Sequence, residues 1–369
     1  MKIGKNDILI ILPLSVLLIL GLVMVTSSSI YIADGMTSNP FHFAQRQTLF
    51  VSMGLIAMLI FLVLPSDFLY KTDWIFMLLS ILLLIILFIP DIGTSVNGSI
   101  RWIRIGPINV QPTEICKFSL ILYISGYSVR RMSEINSLRS FLKPLILLFI
   151  ISILIMGQPD LGSTAIVCML VVGILFYAGI SFSQLTLLIL LIALLGYLAI
   201  TTSPMRLARV LAFTDPFAVD VVQKAGWQLS NSLISIGQGG WLGVGLGNSF
   251  QKSFFLPEAH TDFIFAILVE ELGIIGGLFL IILFVIMLIG LMSVAFESFK
   301  KGRLFQGYTV FGIFLLISIQ TLLNIGVNIG LLPTKGLTLP FISYGGTSII
   351  IMLSLIGIVL RINNENKIL

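Results

Sequence analysis

Apolar positions along this chain fall in unbroken runs of about 16 to 30 residues, each near the roughly 20 that carry a helix across a bilayer core. Ten runs predict ten helices, at about residues 8–26, 47–64, 74–89, 112–129, 143–157, 161–179, 184–200, 263–294, 304–328 and 346–361. The first run follows Lys2 and Lys5, as in a secretory signal. It is too long for one, lacks an A-x-A-like cleavage site and is succeeded by further spans, so it reads as the first transmembrane helix.

One connection stands apart, from about residue 201 to 262, because it is long and has no span of its own. It holds Trp227, Trp241 and the apolar stretch Leu229 to Ile236, which predict partial order. Between Gly237 and Gly247 six of eleven residues are glycine, which predicts turns and close backbone approach near the membrane interface. The tract is not a nucleotide fingerprint, since no βαβ setting surrounds it.

Composition agrees with the pattern. Of 369 residues 57% are hydrophobic and only 10% charged, where an ordinary soluble domain carries about 25%. The fold expected is an all-α integral membrane protein of about ten transmembrane helices in one domain, 1–369, with a large extracytoplasmic loop between the seventh and eighth. Orientation follows from basic residues in the loops. One set holds twelve: Lys2, Lys5, Lys71, Arg130, Arg131, Arg139, Lys143, Lys300, Lys301, Arg303, Arg361 and Lys367. The opposite short loops hold four, Arg46, Arg101, Arg104 and Lys335. Both termini are therefore expected in the cytoplasm. A net charge of +5, interrupted by apolar runs, gives no nucleic-acid surface. Cys116 and Cys168 lie inside expected spans and form neither a disulfide framework nor a metal cluster.

Ionisable groups in or beside spans point to function, and on the outer side they cluster. A connection beginning at Asp91 runs through Asn97, Arg101, Trp102, Arg104 and Pro107 to a helix opening at Pro112, where Glu114 and Lys117 share a face at i, i+3. They read either as a snorkelling pair or as a functional one. Asp160 fits both a helix cap and a ligand group. Between Phe254 and Asp262 lie Pro257, Glu258, His260 and Asp262, directly before a long apolar helix. Asp262 or Thr261 could simply cap that helix. Glu270 is about 12 Å deeper along it by helical rise and calls for a cationic partner, Lys117 being one candidate. Irregular backbone from Pro333 to Gly346, with Lys335, Ser343 and Tyr344, is tolerated at such depth only against protein or a wet cavity. Arg206, Arg209 and Lys252 add positive charge, so the outer side suits an anionic, lipid-attached ligand beside a base.

Leu256 to Ala266, Glu270 to Gly273 and Pro333 to Gly346 resemble, as does nearly the whole chain, the SEDS family (shape, elongation, division and sporulation), the membrane glycosyltransferases that polymerise peptidoglycan. The wording Pro333 to Pro340 is nearer the division members than the elongation members. The resemblance implies that lipid II is the substrate and that Asp262 is the catalytic carboxylate. It also implies that the acceptor 4-hydroxyl displaces undecaprenyl pyrophosphate with inversion. Arg101, Lys117 and Arg206, with Lys335, are then the expected diphosphate or acceptor contacts. Trp102, Glu114, Asp160, Lys252, His260 and Ser343 complete the expected substrate site. A divalent cation, Mg2+ or Mn2+, could serve at the diphosphate, although no dedicated metal motif is visible. Expected partners are a class B penicillin-binding protein (an FtsI-like transpeptidase) and other division membrane proteins, with the chain in the bacterial cytoplasmic membrane at the septum. Asn109 departs from the basic residue expected there. Two rival functions remain: a lipid II transporter, against which the absence of paired halves argues, and a non-catalytic division scaffold, in which Asp262 would be dispensable.

Overall fold

A computed structural model describes residues 4–90, 92–96, 99–106, 108–219, 221–253 and 255–368, with all side chains except those of Ser95, Val96, Ile105 and Ile108. Lys2, Asp91, Asn97, Pro107 and Phe254 lie outside the described residues. The ten expected helices are present as α1 (Lys5–Thr37), α2 (His42–Val63), α3 (Ser66–Ile86), α4 (Pro112–Arg130), α5 (Leu138–Met156), α6 (Leu161–Tyr177), α7 (Phe182–Thr201), α10 (Ile264–Lys300), α11 (Leu304–Asn328) and α12 (Gly346–Ile368). Two shorter helices, α8 (Pro204–Thr214) and α9 (Trp227–Gly239), lie in the long connection. Among the described residues eight helices are long and apolar enough to cross a membrane on those grounds alone. The chain is thus a multi-pass membrane protein. α6 is shorter, at 17 residues, and α4 carries Glu114, Lys117 and Arg130.

The all-helical expectation gains one non-helical element. A three-stranded antiparallel sheet, β1 (Gly93–Val96), β2 (Ser99–Ile105) and β3 (Ile108–Val110), fills the connection before α4. Alternation puts Trp102 and Arg104 on one face of β2 and buried Ile103 on the other, while the register against β1 shifts between Thr94 and Ser95 and leaves Arg101 as the extra residue of a bulge. Pro112 then opens α4 at its first turn, where its missing N–H costs no hydrogen bond.

α2 packs along α12, α1 along α10, and α10 on α11, so the centre of the bundle is built from the two ends of the chain. α7 stays at the periphery against α6 and α8, with Leu188 its one buried residue. Polar contacts define two ends of the bundle. At one, Lys367 pairs with Asp7, Arg303 with Glu365, and Asn6 donates to Glu297 at 3.3 Å, so both termini lie at the same end. The sheet, the α5–α6 turn, α8 and α9 and the 329–345 connection gather at the other.

The single helix expected over 263–294 is broken. Gly273 adopts φ 74° and ψ −180°, separating a buried segment 264–272 from the long run 274–300. Sequence periodicity hides the break because apolar residues continue across it. The freed backbone groups find partners in the glycine tract: Val244 N donates to Glu270 O (2.9 Å), Gly245 N to Glu271 O (3.0 Å) and Ile274 N to Gly240 O (2.9 Å). A Cβ on Gly243 would stand 2.6 Å from Gly273 N, so only glycine lets the two backbones meet.

Candidate functional site

Asp262 sits on irregular backbone at the entry to α10. It does not cap that helix: the N-cap residue is Phe263, which makes no side-chain cap hydrogen bond. Two amides of α11 instead hold its main chain, Asn324 Nδ2 and Asn328 Nδ2 donating to Asp262 O at 2.8 and 3.1 Å. Their i, i+4 spacing places them one above the other on the helix. Asn328 Oδ1 also accepts Ala266 N at 3.1 Å, and Asn324 Nδ2 also donates to Leu337 O at 2.6 Å, joining α10, α11 and the 329–345 connection. Neither asparagine was picked out by sequence, because a mid-helix Asn signals nothing until its neighbour in space is known.

The 329–345 connection closes on the same segment. Ser343 Oγ donates to Thr261 O at 2.6 Å and accepts Leu339 N at 2.8 Å, and Tyr344 N donates to His260 O at 2.9 Å. A Cβ on Gly336 would lie 2.9 Å from Asp262 Oδ2, so the missing side chain leaves room for the carboxylate. Glu258 adopts the left-handed φ of 56°, a strained geometry for a residue with a side chain, and accepts from Thr261 Oγ1 at 2.7 Å.

Among the described residues no donor hydrogen-bonds the Asp262 carboxylate. Its pKa is pushed up to about 7 by burial first and then by the negative charges of Glu258 and Asp160, while Arg101 and Arg209 pull it down. Arg101 Nη2 donates to Pro159 O at 2.9 Å, and its Nε stands 3.7 Å from Asp160 Oδ2. Asp160 is also the α6 cap, accepting Ser163 N at 3.1 Å. Lys335 is half-buried. Burial lowers its pKa, the negative charge of Asp160 raises it and the positive charge of Arg206 lowers it, which places those three groups in one field. Arg206 Nη1 donates to Ala199 O at 2.9 Å, across the α7–α8 turn.

The remaining expected site residues are elsewhere or differently engaged. Lys117, 1% exposed in its side chain, pairs with Glu114 at 2.6 Å rather than with Glu270. Among the described residues Glu270 has no cation: it accepts from Ser235 Oγ and Ser249 Oγ, each at 2.6 Å, and from Phe250 N at 2.8 Å. Four neutral donors satisfy it once Gln251 N, at 3.4 Å, is included. Lys252 is buried against Glu271 (2.7 Å) and Ser27 Oγ (2.9 Å), which corrects its expected place among the open cations. Trp102 is half-buried in β2, across from Thr94 of β1. His260 is buried, its ring 4.6 Å from Phe43 and 5.7 Å from Tyr344, and burial lowers its pKa, so it is a neutral wall of the site.

What converges is one carboxylate with a pKa near 7 in the field of Arg101, Arg209 and Asp160, and Lys335 in the field of the same Asp160 and of Arg206. Such a carboxylate can accept a proton from an alcohol while the cations stabilise a departing anion.

A family model described as cell cycle protein, covering FtsW, RodA and SpoVE, matches residues 7–368. The probable peptidoglycan glycosyltransferase FtsW of Legionella pneumophila is 43% identical over 353 residues, covering 95% of this chain and 89% of that protein. The one of Allochromatium vinosum is 44% identical over 352 residues, covering 94% and 87%. A solved chain from a peptidoglycan synthase complex, studied for its coordination of polymerization and crosslinking, is 25% identical with a TM-score of 0.78 and covers 96% of this chain and 97% of its own. RodA of Thermus thermophilus shares the fold, with a TM-score of 0.70 over 96% of each chain.

Proposed function

From the premise that this chain belongs to the FtsW, RodA and SpoVE cell cycle family, we propose that it polymerises peptidoglycan glycan strands from lipid II, with Asp262 as the base. The observation that carries the reading is the Asp262 carboxylate, held by its main chain, with no hydrogen-bond donor among the described residues and a pKa near 7.

In the reaction the 4-hydroxyl of lipid II attacks the anomeric carbon of the growing chain, forming a new C–O bond. The bond from that carbon to the diphosphate breaks, its electron pair leaves with undecaprenyl pyrophosphate, and configuration inverts. Asp262 takes the hydroxyl proton. The positive charges of Arg101, Arg209, Lys335 and Arg206 face the diphosphate, where they stabilise charge that grows as the bond breaks. Asp160 orients Arg101. Among the described residues no three acidic, His or Cys side chains group as a metal cage. A divalent ion would be held there by the diphosphate with one or two carboxylates, the nearest being Asp262 and Glu258. It would supply further neutralisation of the leaving group.

The rival transporter reading drew support from Glu270, Glu271 and Lys117 as buried charges. Each is now satisfied within the protein. Crosslinking of the strands falls to a partner, a class B penicillin-binding protein. The placement proposed is the cytoplasmic membrane at the septum, termini inside and Asp262 outside. The test gives purified chain and its penicillin-binding partner lipid II and measures glycan polymer. Wild type makes polymer and Asp262→Asn does not; equal polymer from both removes Asp262 as the base.

A further inference from the structure

Residues 225–251 contain no charged side chain although they belong to a connection rather than a span. Their tip is the turn from Gly240 to Leu246, where Trp241 is 69% and Leu242 80% exposed, with Val244 and Leu246 exposed beside them. In water this would be an unusual apolar patch.

The turn's height is set by α10. Gly240 O and Trp241 O accept Ile274 N (2.9 Å) and Ile275 N (3.3 Å), so the turn lies level with the first residues after the Gly273 break. Below that level α10 exposes Ile275, Leu278, Phe279, Ile282, Ile289 and Phe296, and the first charge, Glu297, follows. Ile275 to Phe296 spans about 32 Å of helical rise, against about 30 Å for a bilayer core. With Glu297 at one boundary, Ile275 is at the other. Trp241 therefore stands where acyl chains meet headgroups, the depth at which tryptophan is enriched in membrane proteins.

We infer that the turn 240–246 is seated in the outer leaflet, its occupant being phospholipid, continuous with the lipid that covers the exposed face of α10. The turn is also coupled to the segment leading into Asp262. The backbone of Val244 and Gly245 is bonded to Glu270 and Glu271, whose carboxylates hold Ser249, Phe250 and Lys252. Seating the turn thereby sets the height of Asp262 above the acyl chains, where a lipid-linked substrate presents its sugar. This consequence rests on the glycosyltransferase reading; the lipid contact does not.

The experiment places the full chain in nanodiscs of phosphatidylglycerol and phosphatidylcholine carrying bromine near the carbonyl or near the methyl end of the acyl chains. Subtracting the emission of Trp241→Phe from that of wild type isolates Trp241. Its emission is expected to be quenched most by bromine near the carbonyl end, less by deep bromine, and hardly by aqueous iodide. Quenching by iodide but not by bromolipid overturns the inference. So does loss of bromolipid quenching when the penicillin-binding protein is added, which would make the occupant a protein. In the second arm, Leu242→Asp lowers polymer synthesis in nanodiscs several-fold and Leu242→Met does not. Normal synthesis by Leu242→Asp overturns the coupling to Asp262. Wild type that makes no polymer at all sinks the glycosyltransferase reading and leaves the quenching result to stand by itself.

Discussion

The two ends of the bundle are built from the same helices and both pair most of their charges, but the outer end, where Arg101 meets Asp160, Lys117 meets Glu114 and Lys252 meets Glu271, leaves one carboxylate out. At the end holding the termini, carboxylates meet cations: Asp7 with Lys367, Glu365 with Arg303 and Arg361, Glu297 with Lys301, Asp73 with Arg130. At the other end irregular backbone replaces helix, and the Asp262 carboxylate has no hydrogen-bonded or ion-paired partner among the described residues. A carboxylate left in that state beside Glu258 costs folding free energy. Its retention amid so much charge pairing is what the proposed role of Asp262 as a base requires. The closed end holds α1, α3, α10 and α12 together.

The most severe way to break this contrast is Asp262→Asn. Polymer formation falls by about 10² to 10⁴, the usual worth of a positioned base. The same substitution raises thermal stability. The folded pKa, about 7, lies above the ordinary 3.8, so ionisation disfavours the fold at every pH above 3.8. The stability gap between variant and wild type is widest above pH 7 and closes as pH falls towards 3.8. Thermal denaturation in detergent across that range reads it. A variant less stable than wild type at pH 8 would mean that Asp262 holds the fold together.

Next in size is Glu271→Gln, which leaves buried Lys252 without its counter-charge and should lower stability by about 3 to 5 kcal/mol. The double variant Lys252→Met, Glu271→Met should recover much of that loss. If the single variant is as stable as wild type, the pair does not hold the 249–252 segment.

A milder probe is pH. With Asp262 as base, kcat/KM should fall about tenfold per pH unit well below 7, as protonated Asp262 accumulates. A flat profile between about pH 5 and 8 contradicts a base of that pKa. The smallest effect belongs to the closed end. Arg361→Ala removes a partly exposed partner of Glu365 that still has Arg303, so stability drops by about 1 kcal/mol or less and polymer synthesis is unchanged.

Much of this was legible without coordinates. The apolar runs placed ten helices to within several residues at most ends, although α1 begins earlier and extends to Thr37, and α12 to Ile368. Asp160 as a cap followed from its place before an apolar run, and the glycine tract announced close backbone approach. The sheet over 93–110 escaped because strands of four, seven and three residues leave little periodicity. Gly273 escaped because one glycine in an apolar run looks the same whether the helix continues or breaks. Lys117 and Lys252 were assigned to substrate because sequence shows that they are cationic and near the outer side. It does not show whether an anion has already claimed them.

The sequence alone determined that this chain lives in a bilayer and that its candidate site residues gather at one end of the spans. Hydrocarbon offers no hydrogen-bond partners, so run length decides what can cross. The tertiary structure decided which charges remain available. Lys252 is neutralised by Glu271, 19 residues away, and donates to Ser27, 225 residues away, and Asp262 is held by amides 62 and 66 residues on. Pairing depends on distances between helices, and those exist only after the bundle has packed.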